Sequence, residues 1–287
     1  MFVILGAHGN TGSVAARALL AAGRRVRAVA RDESKLAELA ALGAEVATAD
    51  IEDGDALTRA FEGATGAYVL SPPSPSAVDF VAERRRTFAL IAGAAKRAKV
   101  RHLVQLSSIG AHHPDGTGPI RTVAAGEQIL KESGIPVSAV RAAYFIENWL
   151  AVLPAVKSDG VLPSFIAKDQ RVEMVATPDI GRVVAQTLLD GPRGQRVIEL
   201  AGPEAASPTD VAAAFGRILG RSVQVVEAPI DAVVPTFTSF GVSPHIAGLY
   251  REMYEGFAKG RLAFEGGRAE LVRGTDSVEE RLRALSA

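Results

Sequence analysis

Three glycines, Gly6, Gly9 and Gly12, follow directly on an apolar run at residues 1–5 and precede an alanine-rich run at residues 13–23. Strand, glycine turn and helix in that order make a phosphate cradle. Gly6 lets the chain leave the strand sharply. Gly9 has no side chain to bar a pyrophosphate from the backbone, and Gly12 lets the helix approach the sheet. The amides of Asn10, Thr11 and Gly12 then stand at a helix N-terminus, where unpaired N–H groups and the helix dipole favour an anion. His8 lies within the same turn. The chemistry expected of these six residues is the binding of a dinucleotide through its phosphates.

The end of the second strand chooses between NAD(H) and NADP(H). A carboxylate there accepts hydrogen bonds from the adenine ribose, and a guanidinium pairs with a 2′-phosphate. This chain offers both, as Arg31 and Asp32. Arg31 is the nearer to the ribose, and its planar fork matches phosphate geometry. Asp32 suits the N-cap of the helix that follows, and Lys35 adds positive charge nearby. NADP(H) is therefore expected over NAD(H). Asp50 and Ile51 end the third strand and fall near the adenine, although Asp50 also suits a turn before the next helix.

These residues need a scaffold, and the chain supplies one. Strand signals at residues 26–30, 45–49, 67–70, 102–106 and 137–142 alternate with helix signals at 33–42, 53–61, 78–98 and 123–133. Such alternation predicts an α/β fold: a doubly wound parallel Rossmann sheet in the order 3-2-1-4-5-6, with the ligand across the strands' carboxyl ends. Ser71 and Pro72, in the proline-rich segment after the fourth strand, should then border the cofactor or simply stiffen the connection. A helix at 179–189 and a seventh strand at 196–200 return to the sheet. The division expected is a nucleotide-binding domain over 1–150 with 176–202, and a smaller, mostly helical substrate-side lobe over 151–175 and 203–287. Ile246, Leu249, Tyr250, Met253 and Phe257 repeat at helical spacing in that lobe, facing either its core or the cleft. Arg84, Arg85 and Arg86 read as a solvated helix face.

The whole chain narrows the classes. Its 287 residues contain 32 Lys and Arg against 32 Asp and Glu, so nothing in the net charge attracts nucleic acid or an anionic membrane. Cysteine is absent, which removes disulfides, thiolate catalysis and zinc–thiolate sites and suits a cytoplasmic protein. No stretch has the length and apolarity to span a bilayer, and no metal-ligand spacing is evident; the adjacent pair His112–His113 diverges and lacks a third ligand.

The turn Gly6–Gly12, the segments 107–111, 116–118 and 134–136, Glu127, and the run 141–148 together resemble the NmrA-like, atypical short-chain dehydrogenase/reductase family. The resemblance covers about the first 200 residues and implies Rossmann binding of NAD(P). It implies two kinds of function: NADPH-dependent reduction of quinones, dyes and similar electrophiles, or NAD(P) binding without turnover in a redox sensor that acts through a protein partner.

Short-chain dehydrogenases commonly pair a Ser with Tyr-x-x-x-Lys. Counting from Ser107, those two positions hold Pro119 and Val123, neither of which moves a proton. Ser107 is expected near the cofactor and Ser108 near the substrate, unless they only cap the strand end. The family places residues near the nicotinamide where Tyr144 and Asn148 stand. Tyr144 is a weak candidate catalytic hydroxyl, with packing as the alternative. His112 lies in a glycine-containing loop that could close as a lid and offer a proton. Missing proton machinery disfavours ordinary ketone reduction and the sugar-nucleotide chemistry of extended relatives. The function expected is NADPH-dependent hydride transfer to a quinone-like or other electron-poor small molecule, with the sensor as the alternative.

Overall fold

The computed structural model describes residues 1–72, 74 and 77–286. Pro73 and Pro75 of the proline-rich segment lie outside the described residues.

The chain opens with β1 (Phe2–Leu5), α1 (Asn10–Ala21), β2 (Val26–Ala30), α2 (Ala37–Ala41) and β3 (Glu45–Thr48). It continues with α3 (Gly54–Phe61), β4 (Gly66–Val69), α4 (Phe80–Arg97), β5 (Leu103–Ser108), α5 (Ile120–Glu132) and β6 (Val137–Ala142). Then come β7 (Tyr144–Phe145), α6 (Leu153–Asp159), β8 (Val161–Ser164), β9 (Met174–Val175), α7 (Thr177–Asp190) and β10 (Arg196–Ala201). The tail holds α8 (Pro208–Leu219), β11 (Gln224–Glu227), α9 (Val233–Ser239), α10 (Pro244–Ala258), β12 (Glu270–Arg273) and α11 (Val278–Ser286).

Eight strands form one sheet in the order β12-β10-β6-β5-β4-β1-β2-β3, and every pairing is parallel. This is the expected doubly wound order, extended by β10 and β12. Helices cover both faces, so the central strands are apolar almost throughout: β4 is buried along its whole length. α1 and α7 pack together on one face, so closely that a methyl on Gly181 would sit 2.5 Å from Val14 Cβ. α3, α4 and α5 cover the other, over a core that contains Leu57, Phe61, Phe88 and Ile91.

A third apolar cluster, with Trp149, Leu162, Met174, Phe215, Phe257 and Leu282, gathers residues mostly from the second half of the chain. It includes a small parallel ladder, β8 with β11, and a second, β7 with β9. Two expectations change here. The segment 33–42 is not one helix: a 3₁₀ turn at Glu33–Leu36, capped by Asp32, precedes the five-residue α2. Residues 270–273, expected in the smaller lobe, pair with β10 as the edge strand of the main sheet; with only four residues, that strand carries little periodic signal. Among the described residues, no helix is long and apolar enough to cross a membrane.

Candidate functional site

The glycine turn is built as its spacing demands. Gly6 takes a left-handed conformation, φ +59°, and the Gly9 amide returns to the Gly6 carbonyl at 2.9 Å. A methyl on Gly12 would lie 2.4 Å from that carbonyl oxygen, so no side chain fits there. Gly9 caps α1 without a side-chain acceptor, which leaves the first-turn amides of Asn10, Thr11 and Gly12 free to meet an anion. Thr11 offers only its amide. Its hydroxyl is buried at 2.8 Å from the Tyr68 hydroxyl and pins α1 to β4, while burial raises the Tyr68 phenol far above its ordinary range.

Beside this turn lies a cavity of about 410 Å³ across the carboxyl ends of β3, β2, β1 and β4. Gly6, His8, Arg31, Asp50, Ile51 and Pro72 all line it, so the structure brings these six of the expected cofactor residues to one place. Arg31 is exposed at the end of β2. Asp32 is occupied: its carboxylate accepts from the Ser34 amide at 3.0 Å and the Ser34 hydroxyl at 2.7 Å, bonds that hold it below the usual carboxylate range. Asp50 proves to be a turn residue that also faces the cavity, accepting from the Glu52 amide at 2.9 Å. The Ser71 hydroxyl is buried without a partner among the described residues. Lys35 is exposed on the 3₁₀ turn and is not part of the wall.

A second cavity, of about 390 Å³, opens over the ends of β5 and β6. Ser108, Tyr144 and Asn148, three of the four residues expected near the substrate, line it. Most of the remaining wall is aromatic or apolar: Phe145, Phe237, Tyr250, Met253, Tyr254 and Phe257. Tyr144 meets Trp149 and Phe257 edge-on, with ring centres 5.9 Å and 5.6 Å apart. Burial raises all three phenols, Tyr144 and Tyr250 above the ordinary value and Tyr254 to about 12, so each stays protonated at neutral pH. Pro119 sits on the cavity wall, and Val123 packs against the third apolar cluster.

Three expectations are corrected. Ser107 does not face either cavity: its hydroxyl is bonded to Glu127, whose carboxylate is gripped by the Arg141 guanidinium at 3.0 and 2.8 Å. His112 is outside the Tyr144 cavity, in a separate polar hollow with Glu127 and Arg141, and burial with His113 beside it lowers its imidazole value. Its loop is no free lid, because a methyl on Gly118 would land 2.0 Å from the Leu249 carbonyl oxygen of α10. Finally, Arg84 is not solvated. It is buried, forms part of the first cavity's wall and donates to the Pro72 carbonyl at 3.3 Å, while Arg85 and Arg86 are exposed.

Sequence reasoning also missed Phe237 and Tyr254, whose place in the wall depends on how α9 and α10 pack. The apolar stripe on α10 divides: Tyr250, Met253 and Phe257 line the cavity, while Ile246 and Leu249 are buried beside it.

A glycine cradle at a parallel sheet's first crossover, opening on a cavity across the strands' carboxyl ends, defines a dinucleotide-binding α/β protein. The chain belongs to the NmrA-like family, whose model matches residues 1–265. It is 30% identical over 255 residues to an NAD(P)H azoreductase of Xenophilus azovorans, covering 88% of this chain and 86% of that one. It is 32% identical over 233 residues to a (4-alkanoyl-5-oxo-2,5-dihydrofuran-3-yl)methyl phosphate reductase of Streptomyces griseus, covering 81% and 78%. The NADPH-dependent quinone oxidoreductase of Escherichia coli, solved with NADPH, superposes with a TM-score of 0.84 at 26% identity over 100% of both chains.

Proposed function

We propose that this protein is an NADPH-dependent reductase of quinone-like or other electron-poor aromatic small molecules. The observation that carries the proposal is the adjacency of two unlike cavities along one sheet edge: a glycine cradle with Arg31 on one side, and an aromatic chamber over β5 and β6 on the other. The residues fit the nucleotide, since Gly12 admits no Cβ and the first-turn amides of α1 are unspent.

When bound, NADPH supplies a hydride. The amides of Asn10, Thr11 and Gly12 hold its pyrophosphate, and Arg31 pairs with the 2′-phosphate. Residues 1–150 with 176–202 carry the nucleotide, and the lobe over 151–175 and 203–287, less its edge strand, shapes the acceptor's chamber. Phe237, Tyr250 and Phe257 stack against a planar acceptor and exclude water. Tyr144 and Tyr254 donate hydrogen bonds to an acceptor oxygen or nitrogen.

The absence of a Tyr–Lys pair selects the acceptor. A reduced ketone is an alkoxide that demands a positioned acid. A reduced quinone is phenolate-like, with a conjugate acid near pKa 10, as in tyrosine. Water protonates it without help, so proximity and orientation suffice. The NAD(P)H-dependent reductases among its relatives support the reading. The test is NADPH oxidation against a panel of quinones, azo dyes and simple ketones. Quinone or dye turnover is expected to exceed ketone turnover by about 100-fold or more; robust ketone reduction with no quinone or dye activity would overturn the proposal. No NADPH oxidation, together with binding of a protein partner that depends on the NADP⁺/NADPH ratio, would select the sensor.

A further inference from the structure

The geometry points to Arg84 as a residue that recognises the purine base of the bound nucleotide, by donating a hydrogen bond to a ring nitrogen. This rests on the reading of the β1–β4 cavity as the nucleotide site. Arg84 lies one turn into α4, and its side chain is only 5% exposed. A guanidinium withdrawn from water costs several kcal/mol unless charge partners and hydrogen bonds replace the water. Here the replacement is thin. One N–H reaches the Pro72 carbonyl at 3.3 Å, the Glu83 carboxylate is 3.6 Å away, and the Phe80 ring centre is 5.4 Å away. The Nε–H has no partner among the described residues. A cation kept in a cavity wall with an N–H unpartnered among the described residues suits a ligand that brings acceptors.

The cavity's two cations differ in a way that assigns them different parts of the nucleotide. Arg31 is exposed at the rim, where a strongly hydrated phosphate dianion is best held. Arg84 is buried in a wall that it shares with the apolar Val29, Ala49, Leu57 and Leu70, while the two carboxylates in the same cavity, Asp50 and Glu52, repel a phosphate. Such a slot fits a flat aromatic ring better than a phosphate. A purine presents ring nitrogens that accept from a guanidinium and a π-face that a cation attracts. Arg31 then reads the phosphate and Arg84 reads the base.

Equilibrium binding separates these roles without recourse to turnover. NADPH and NADH are titrated into the purified full chain, wild type, Arg84→Met and Arg31→Ala. Arg84→Met is expected to weaken both nucleotides by the same factor, about tenfold, so the NADPH-to-NADH preference stays as in the wild type. Arg31→Ala is expected to erase that preference. Analogues of 2′,5′-ADP with 1-, 3- or 7-deazaadenine complete the test. One of these deletions should cost the wild type about tenfold and cost Arg84→Met nothing. Arg84→Lys, which keeps the buried charge, stands in should the methionine variant fail to fold, and is expected to bind both nucleotides weakly in the same unchanged ratio. Loss confined to NADPH would assign Arg84 to the phosphate, and unchanged affinities or indifference to all three deletions would leave it a wall residue; each overturns the inference. A wild type that binds neither nucleotide would instead overturn the functional reading beneath it.

Discussion

The cavity over β1–β4 is walled mainly by strand ends and turns, all within the first 84 residues, whereas the cavity over β5 and β6 takes much of its wall from residues 237–262. The first is specified by backbone: a left-handed Gly6, a Gly12 with no room for a methyl, and amides fixed by the start of α1. The second is specified by side-chain volume, with Tyr250, Tyr254 and Phe257 brought over Tyr144 by the packing of α10. Backbone geometry tolerates no substitution, while an aromatic chamber can be resized one side chain at a time. On the proposed function, the nucleotide end is thereby common property of the fold, and the acceptor end is where members of one family can diverge.

If that contrast holds, the largest effect should come from the cradle. Gly12→Ala drives its Cβ into the Gly6 carbonyl and should cost about 3 kcal/mol or more in strain, seen as loss of NADPH binding in a titration and a lower Tm. Next in size is a change outside both cavities. His102 is buried with its Nε2 3.0 Å from the Ser138 hydroxyl, and burial, aided by Arg196, lowers its imidazole from 6.5 to about 4. Above pH 6.5 it is neutral whether folded or unfolded, and its contribution is fully present. Between pH 6.5 and about 4 only the unfolded chain binds the proton, so stability falls with pH, by on the order of 3 kcal/mol in total. His102→Gln should flatten that part of the denaturation-midpoint-versus-pH curve and leave NADPH affinity unchanged at pH 7.5.

Smaller still, Arg31→Ala should weaken NADPH by about 2 kcal/mol, a charged hydrogen-bond's worth, and leave NADH binding as it was. Smallest is Tyr254→Phe. It should reduce quinone kcat/KM by about fivefold, the value of one neutral hydrogen bond, with NADPH affinity untouched; an equal loss of NADPH affinity would mean that the two cavities are not separable.

The sequence made the first cavity legible because its determinants are local. Strand, glycine turn, helix and the Arg31 position follow one another in register, and the sheet order follows from alternation and right-handed crossovers. What escaped it was decided by which way a helix turns. Arg84 reads as one of three charges, yet it shares a face with Thr87, Phe88 and Ile91, the buried positions three, four and seven residues on. That periodicity was the available signal. Ser107 looked free because its partner Glu127 is on α5, and Arg141, which clamps that carboxylate, is on β6. Tyr254 and Phe237 carry no local mark at all; only the closure of α9 and α10 over β6 makes them part of a site.

Calorimetric titration of the full chain with NADPH and then NADH tests the central claim most directly. Saturable binding of both is expected, with NADPH the tighter by about tenfold or more from the Arg31–phosphate contact. Absence of heat with either nucleotide, or a preference for NADH, would contradict the assignment of the glycine cradle and Arg31 to a 2′-phosphorylated dinucleotide.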